Sequence, residues 1–488
     1  MDTRRDLTRN ILVTVAVLVV VLPSVWLGTS FGKLALFGVI GVAAVIVAVY
    51  VGFRHPLWYF WGLALTMSIL PFGRVPGIGL PLWYGFAFGA IVAAFVHPRF
   101  ARSTHPIEFA GWVMYLTCAL SLVVTFESIR DASLFVRWSL GALFLFALAR
   151  LAPEHAVRFG RIFSVGMAVN GLYGMFVIAF DPGYSTLAYL RTFGYAPEAL
   201  VARVAYAGEN VATTIRLGGT WLEPNGFGLF TALALGITFL VWAGWKRWTL
   251  VIILSVAMVL TLSRAATFTV VAGVLIVLAF THMRGRTRGS VLAVMAIGAV
   301  AALSAEPVRR RIFSSFGAGD AGSAARADAL RVFPGQMSGY WGFGHGWGGR
   351  EFYDSAYAYV LNLPSNATLM VLYRSGFIAF IAWIALTVIA CVYAYRSVRS
   401  DSLPRALYGG IFIGLCVVQM QLDHPLSDTP NGALCFSMFL AFLVHADRAR
   451  AAQQLLGTAS TEDPDSLVVH DVPPPRQPTM SPVAGSTR

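Results

Sequence analysis

Charged residues are scarce in this sequence. Asp, Glu, Lys and Arg make up 12% of its 488 residues, whereas a soluble domain carries about 25%. Hydrophobic residues make up 57%, and the mean hydropathy is +0.70. This composition excludes an ordinary soluble enzyme and predicts a protein that crosses a membrane many times. The net charge of +13 then reflects basic residues held in cytoplasmic loops, so it does not indicate nucleic-acid binding.

Cysteine is also rare, and the typical arrangements of metal ligands are missing. The four cysteines lie within apolar runs, without a Cys-x-x-Cys pair or a His/Cys cluster. Neither a disulfide framework nor a zinc site is therefore predicted. The long hydrophilic connections contain no Asp-x-Asp pair and no phosphate loop of the Gly-Lys-Ser/Thr type. We expect the protein to use neither a metal nor a cofactor.

Long apolar runs account for most of the chain. In hydrocarbon each run must satisfy its own backbone, so each is predicted to be a helix. Basic residues recur at every second connection, and this alternation predicts fourteen spans, with twelve as the alternative, and both termini in the cytoplasm. The apolar runs cover residues 11–28, 34–53, 57–71, 82–97, 107–126, 133–149, 162–180, 220–243, 248–262, 265–281, 289–305, 366–394, 406–421 and 430–446. The membrane domain is predicted over residues 1–452, and a polar cytoplasmic tail over residues 453–488 is predicted to be disordered.

One apolar stretch carries an arginine at its centre. A single helix from Lys246 to Arg284 would be about 55 Å long, nearly twice the roughly 30 Å hydrocarbon core. Two helices fit better, and Arg264 then lies at the turn between them on the outer side. The alternative reading of Arg264 is a side chain that only reaches toward the lipid head groups.

Two connections are too long to be simple turns. They cover about residues 181–219 and 306–365, and the predicted topology places both outside. Long loops on a rigid scaffold often carry function. The second contains YWGFGHGWGGREFYD, which is rich in glycine and aromatic residues.

Polar residues of the kinds used in catalysis gather at the predicted outer side. Each alone has an ordinary structural explanation, such as a helix cap, a membrane anchor or a loop ion pair. Together the arginines predict a cationic pocket for phosphate, because one guanidinium group can donate two parallel hydrogen bonds to two phosphate oxygens. A pyrophosphate on a membrane lipid fits that charge and position. The residues are Arg216, Glu223, Asn225, Arg264, Arg326, Arg331, His345, Arg350, Asp354, Ser365, Asn366, Arg374, Asp423 and His424.

Four segments occur in an order that resembles the O-antigen ligase and O-antigen polymerase superfamily. They are IRLGGTWLEPNGFG, LTLSRAATF, RADALRVFPGQMSGYWGFGHGWG and PSNATLMVLYRSGFIAF, and the resemblance covers roughly residues 160–445. It implies an all-helical membrane glycosyltransferase of the C structural class in the bacterial inner membrane. Such enzymes take a glycan from an undecaprenyl-diphosphate carrier at the outer face and transfer it to lipid A-core, a growing polysaccharide or a protein.

The resemblance also implies roles for particular residues. Arg216 and Arg264 match the two arginines that face the pyrophosphate, and Asn225 matches the polar residue of the family's Pro-Asn motif. The second long connection matches the loop that covers the site. The family is thought to need no metal, because its arginines stabilise the leaving group.

The chain departs from the ligase pattern at one position. Ser365-Asn366 stands where ligases usually have His-Asn, and that histidine is the favoured base. A polymerase or another polysaccharide enzyme therefore remains open beside a ligase. On chemistry alone, the candidate bases are Glu223, His345, Asp354, Asp423 and His424. The Asp423-His424 pair is attractive because a neighbouring carboxylate can keep an imidazole ready to accept a proton.

A second class of function is a transporter or flippase for a lipid-linked or anionic solute. Such proteins usually have polar or broken helices near the middle of the bilayer and repeated halves. The sequence has no visible internal repeat, and its unusual charges lie at the predicted outer rim. This distribution favours the glycosyltransferase.

Overall fold

The structure is a computed structural model with side chains. It describes residues 43, 46–47, 50–52, 54–76, 79–97, 100, 104–181, 183–195, 216–281, 283, 285–306, 308–309, 313, 321–348, 364–422 and 425–455. All regular secondary structure in these residues is helical, as the sequence predicts, and they contain no strand.

The described helices follow one another with short connections along most of the chain. A π-helical turn covers Leu415–Gln419, and two 3-10 helices cover Ser185–Phe193 and Gly219–Trp221. The α-helices are α1 Leu57–Ile69, α2 Leu82–Val96, α3 Pro106–Thr125, α4 Ile129–Ala142, α5 Phe144–Ala149, α6 Pro153–Phe180, α7 Pro224–Val241, α8 Gly244–Leu260, α9 Arg264–Phe280, α10 Gly285–Ser304, α11 Ala321–Gln336, α12 Ala367–Val398, α13 Leu403–Gly414, α14 Met420–Leu422, α15 Pro425–Asp428 and α16 Pro430–Leu455.

Seven helices of the described chain are long and apolar enough to cross a membrane. They are Pro106–Thr125, Ile129–Ala149, Pro153–Phe180, Pro224–Val241, Ala367–Val398, Leu403–Leu422 and Pro430–Gln453. Four shorter apolar helices accompany them: Leu57–Ile69, Leu82–Val96, Arg264–Phe280 and Arg288–Ser304. The prediction of a helical membrane protein is confirmed at this level. The number of spans stays a prediction, since the first two apolar runs lie almost wholly outside the described residues, as does the tail from residue 456.

The helices α7 and α16 form the centre of the bundle: most side chains of α7 and those of residues 432–446 in α16 are buried. Other helices expose apolar side chains on one face, including Leu116 of α3 and Val388 of α12. Exposed apolar faces around a buried apolar centre are typical of helices that meet lipid, where the outside is as apolar as the interior.

Hydrogen bonds between helix ends show which ends lie together. Arg161 Nε donates to the Val241 carbonyl at 3.0 Å, and Thr281 Oγ1 donates to the Val398 carbonyl at 2.8 Å. Arg448 lies 2.8 Å from Glu108 Oε1. We call this the basic end, because α1, α3, α6 and α8 begin there beside the predicted cytoplasmic arginines. The starts of α4, α7, α9, α12 and α16 lie at the other end, which we call the site end.

The two-helix reading of the Lys246–Arg284 stretch is confirmed. The helix α8 ends at Leu260, and α9 begins at Arg264. Thr261, Leu262 and Ser263 form the turn between them, so Arg264 is the first helical residue at the site end.

A glycine-rich segment, residues 337–348, fills a break in α12. We call it the glycine loop. The helix loses its regular backbone at Gly376, whose φ is 75°. The glycine loop replaces the missing hydrogen bonds: His345 N donates to the Tyr373 carbonyl at 2.7 Å, and Gly346 N donates to the Arg374 carbonyl at 3.0 Å. Phe377 N donates to the Trp341 carbonyl at 2.8 Å. A broken helix is tolerated inside a membrane protein when other protein groups satisfy its backbone in this way.

The glycine loop also lies against α3, where Ser121 Oγ donates to the Phe343 carbonyl at 2.7 Å. Its glycines are required by close backbone contact. A Cβ on Gly344 would lie 2.6 Å from the Arg374 carbonyl oxygen, and one on Gly376 would lie 2.2 Å from the Gly342 carbonyl oxygen. The loop is therefore packed against α3 and α12.

A second connection between distant segments depends on Asn170, which is buried in the middle of α6. Its Nδ2 donates to the Ser68 carbonyl and to Thr220 Oγ1, both at 2.8 Å. Its Oδ1 accepts from Thr220 N at 3.0 Å. Thr220 Oγ1 donates in turn to the Ile69 carbonyl at 2.5 Å. These bonds hold the turn Gly219–Trp221 against α1 and α6. Two residues separate this turn from the start of α7.

We expect Gly344→Ala to destabilise the protein more than Gly339→Ala. Both glycines have a left-handed backbone, with φ of 74° and 86°, but no atom lies within 4 Å of a Cβ placed on Gly339. The control therefore measures the conformational cost alone, about 1–2 kcal/mol. The Gly344 variant adds a backbone collision that costs about 1–3 kcal/mol more. Chemical unfolding in detergent micelles gives both free energies, and equal losses would contradict the packing of the loop in the helix break.

We expect Asn170→Ala to lower the free energy of unfolding by about 2–4 kcal/mol, because it leaves buried groups of Thr220 and Ser68 without their partner. Thr238→Val is the control, since the buried Thr238 hydroxyl bonds only to Ala234 in its own helix. That variant should lose no more than about 1 kcal/mol. Unfolding followed by tryptophan fluorescence measures both. An Asn170 variant as stable as the control would show that the turn needs no such clamp.

Candidate functional site

Arg216 is held between two helix starts at the site end. Its Nε donates to the Thr261 carbonyl at 2.9 Å, in the turn between α8 and α9. Its terminal NH2 group donates to Asn225 Oδ1 at 2.7 Å, in the first turn of α7. The backbone supports the same arrangement, because Leu217 N donates to the Leu260 carbonyl at 3.0 Å. The half-buried guanidinium is thus oriented by bonds from two directions before any ligand binds.

The starts of α7 and α9 lie side by side. A Cβ added to Gly228, one turn into α7, would lie 3.1 Å from Ser263 Cβ and 2.9 Å from Ala266 Cβ. The first N–H groups of each helix and its macrodipole give a partial positive charge at that end. Two such ends together, with Arg216 bound between them, form a strongly positive region. We call Arg216, Glu223, Asn225 and Arg264 the arginine site.

Arg264 places a full positive charge at the N-terminus of α9, which is the positive end of the helix dipole. As the first residue of α9, it is repelled by the positive end of the helix dipole by about 0.3–1 kcal/mol. An anion bound at this point would remove that repulsion. The half-buried side chain also lines a cavity of about 50 Å³ with Leu262 and Thr267, which is large enough for a few water molecules.

Both turns that lead into the arginine site contain a strained residue. Leu222 has a φ of 59° and Leu262 has a φ of 53°, in the left-handed region that leucine rarely adopts. Each comes directly before the residue that caps the next helix, Glu223 for α7 and Ser263 for α9. Such strain costs about 1–3 kcal/mol per residue and is concentrated at functional sites. Its occurrence on both sides of Arg216 supports a binding role for this region.

Glu223 places a carboxyl group at the edge of the arginine site. It is the residue before α7, its side chain is exposed, and its backbone carbonyl accepts from Phe227 N at 3.0 Å. A carboxylate can act as a general base when an acceptor hydroxyl comes within hydrogen-bond reach of it. Of the two predicted bases that the structure describes, Glu223 and His345, Glu223 is the one beside Asn225, two residues along the chain.

His345 lies in the glycine loop, between two tyrosines. Its ring stacks on Tyr340 at 4.0 Å and on Tyr373 at 4.5 Å between centroids. Nε2 lies 2.9 Å from the Gln336 carbonyl oxygen, which can only accept a hydrogen bond. Nε2 therefore carries the proton in the neutral ring, and Nδ1 is the nitrogen that can act as a base. The surroundings give His345 a structural role in the helix break.

Arg374 is almost completely enclosed, with 2% of its surface exposed. Its guanidinium lies 5.8 Å from the Tyr373 ring centroid, and its carbonyl accepts from Gly346. Arg374 lies about two turns into α12, two residues before the break at Gly376. Its described contacts tie it to the glycine loop.

Asn366 joins the start of α12 to the end of α14. Its Oδ1 accepts from Leu369 N at 2.9 Å and so caps α12. Its Nδ2 donates to Gln421 Oε1 at 2.8 Å. This bond brings the half-buried Ser365 and its neighbour Asn366 next to the segment that leads to Asp423 and His424.

The remaining predicted residues are not brought into the arginine site by any described contact. Arg331 on α11 pairs with Asp328 at 3.4 Å, and both side chains are exposed, which is an ordinary surface ion pair. Arg326 lies on the same helix, but its side chain is outside the described part. Arg350, Asp354, Asp423 and His424 are outside the described residues as well.

Sequence reasoning missed three residues that shape this end of the molecule. Asn170 and Thr220 hold the turn before α7, and Gln421 holds Asn366. The available signal was an asparagine inside the apolar run 162–180, because a polar residue within a membrane span is rarely there without a partner.

Asp181, where the first long connection begins, was also missed. It accepts hydrogen bonds from the backbone and hydroxyl groups of Ser185 and Thr186, at 2.6–2.9 Å. Burial raises the pKa of this carboxyl, but those hydrogen bonds outweigh burial and lower the pKa to about 2. Asp181 is therefore ionised at neutral pH and fixes the first turn of the connection.

Among the described side chains, no group of three or more His, Cys, Asp or Glu is placed to hold a metal ion. Comparison with models of protein families gives no match, and comparison with curated proteins gives none either.

Proposed function

We infer that this protein is a membrane glycosyltransferase that uses a glycan linked to undecaprenyl diphosphate. It transfers the glycan to an acceptor at the outer face of a bacterial inner membrane, either as an O-antigen ligase or as a polysaccharide polymerase. The proposal includes a membrane domain of fourteen spans with both termini in the cytoplasm, a fold of the C glycosyltransferase class, and catalysis without a metal. The observation that carries it is the arginine site, where Arg216 is oriented between two helix starts and Arg264 begins one of them.

The arginine site suits a pyrophosphate leaving group. Negative charge develops on the pyrophosphate oxygens as the glycosidic bond breaks. Donors that are already oriented stabilise such charge without reorganising at the moment of reaction, and this is usually the largest part of catalysis. Thr261 and Asn225 hold the Arg216 fork in place, and the repulsion between Arg264 and its own helix is relieved by the incoming anion.

The reaction is a direct displacement with inversion. An acceptor hydroxyl oxygen attacks the anomeric carbon, and a new carbon–oxygen bond forms while the bond to the pyrophosphate oxygen breaks. The electron pair leaves with the lipid diphosphate, and the hydroxyl proton passes to a base. Glu223 is the base at the described edge of the site. Asp423 and His424, near Gln421, are the alternatives on the predicted outer turn.

A transporter or flippase is the second candidate, and the break in α12 is the observation in its favour. Broken helices are typical of transporter binding sites. Here the glycine loop fills the break, and its backbone takes up the hydrogen bonds of Tyr373, Arg374 and Phe377. A filled break stabilises a fixed structure, which favours the enzyme.

We expect Arg264→Ala to reduce glycan transfer by on the order of tenfold to several hundredfold. It removes one charge-assisted contact with the pyrophosphate, worth about 1.5–3 kcal/mol or more in a desolvated site. Lysine at position 264 should restore only part of the rate, because it lacks the planar fork. Arg331→Ala is the matched control and should retain full activity, since Arg331 forms an exposed surface pair.

The assay scores a new glycosidic bond with the purified full chain, a lipid-diphosphate-linked donor and its acceptor, in excess EDTA. Full activity of Arg264→Ala would refute the role of the arginine site. Product formation that requires added magnesium or manganese would refute the metal-free mechanism. Movement of the donor across vesicles without a new bond would assign the chain to the transporters.

We also expect the site end to face the outside of the cell. In a background with the four native cysteines replaced by alanine, Gly342→Cys should react with an impermeant thiol reagent added to intact cells. Gly342 is exposed, and a Cβ there meets no atom within 4 Å. Arg286→Cys, exposed at the basic end, should react only after the membrane is opened. The reverse labelling pattern would place the arginine site on the cytoplasmic side.

A further inference from the structure

A second cavity lies at the basic end, far along the helices from the arginine site. Its volume is about 310 Å³, and it opens between the start of α1 and the start of α6. Its lining includes Arg54, His55, Trp58, Trp61 and His155. We propose that this cavity binds the phosphate head group of an anionic phospholipid in the membrane leaflet at the basic end.

The charge around the cavity favours an anion. Arg54 and His55 are exposed at its rim, and the Arg158 guanidinium lies 4.0 Å above the Trp61 ring. Glu154 is the acidic residue of the described lining, and its Oε1 lies 3.7 Å from His155 Nε2. Its side chain is 69% exposed, so water screens its charge. The two arginines therefore set the sign of the local field.

Two helix starts add to this field. Pro56 and Ala152, the residues that precede α1 and α6, both line the cavity. Trp58 N donates to the His55 carbonyl at 2.9 Å, and His155 N donates to the Ala152 carbonyl at 3.0 Å, so the two helix starts contribute mainly through their dipoles. The positive ends of the two helix dipoles point toward the same cavity, which is the arrangement that binds phosphate in many proteins.

The apolar surface beside the cavity favours a lipid over a soluble phosphate. Trp58 is 55% exposed at the cavity, a position typical of tryptophan at the membrane interface. Leu65, two turns along α1, is exposed on the same face of that helix as Trp58. Val165, Val169 and Leu172 are exposed along α6. A head group in the cavity would leave its acyl chains along this apolar surface. Basic pockets between membrane helices bind anionic head groups in this way.

The test measures binding of dioleoyl phosphatidylglycerol to the purified full chain in neutral detergent at physiological salt, with dioleoyl phosphatidylcholine as the neutral lipid. The cavity variant is Arg54→Gln with Arg158→Gln. The matched control is Arg286→Gln with Arg288→Gln, which removes the same charge from exposed arginines at the same end. We expect the cavity variant to bind phosphatidylglycerol about tenfold more weakly than the control variant does.

Three results would overturn the proposal. Equal weakening in the two double variants would mean that surface charge alone attracts the lipid. Equal affinity of the unchanged protein for phosphatidylcholine would mean that the head-group phosphate is not recognised as an anion. Inorganic phosphate at millimolar concentration that competes fully with the lipid would assign the cavity to a soluble anion. Arg54→Gln alone changes an exposed side chain, so it reports on binding even if the double variant is unstable. The test uses no residue of the arginine site and is independent of the proposed transferase activity.

Discussion

The amide of Asn170 is the constraint on which the arginine site depends. It lies in the middle of a membrane helix, where no water is available, so all of its polar atoms must be satisfied by protein. Ser68 and Thr220 satisfy them, and the turn before α7 is thereby fixed against α1 and α6. That turn connects Arg216 to the start of α7. A buried hydrogen-bonding requirement in one helix therefore sets the position of the guanidinium at the end of another.

The glycine loop follows the same logic at the break in α12. The break at Gly376 frees backbone groups of α12, and a loop that lies 28 to 36 residues earlier in the chain supplies their partners. The contact is between backbones, so it demands glycine at Gly344 and Gly376. His345 and Arg374 are drawn into this arrangement. A composition that resembles a flexible loop thus encodes a rigid insertion between helices.

The two ends of the bundle use positive charge for different purposes. At the site end, Arg216 and Arg264 combine with two helix starts and with strained turns at Leu222 and Leu262, which concentrates positive charge at one point. At the basic end, Arg54 and Arg158 stand beside exposed tryptophan and a lipid-facing surface. The first arrangement fits a leaving group that gains charge during a reaction. The second fits a stationary head group that anchors the bundle in its leaflet.

The sequence by itself determined the helical membrane class and the two helices on either side of Arg264. These properties follow from hydropathy and from the cost of placing charge in hydrocarbon, which act locally along the chain. Only the tertiary structure decided that Arg216 bonds to Asn225 and Thr261, that His345 is sandwiched between tyrosines, and that Asn366 reaches Gln421. It also separated Arg331, an exposed pair, from the arginines of the site. Those outcomes depend on contacts between residues far apart in the chain, such as Asn170 with Ser68, and periodicity carries no information about which distant helices will meet.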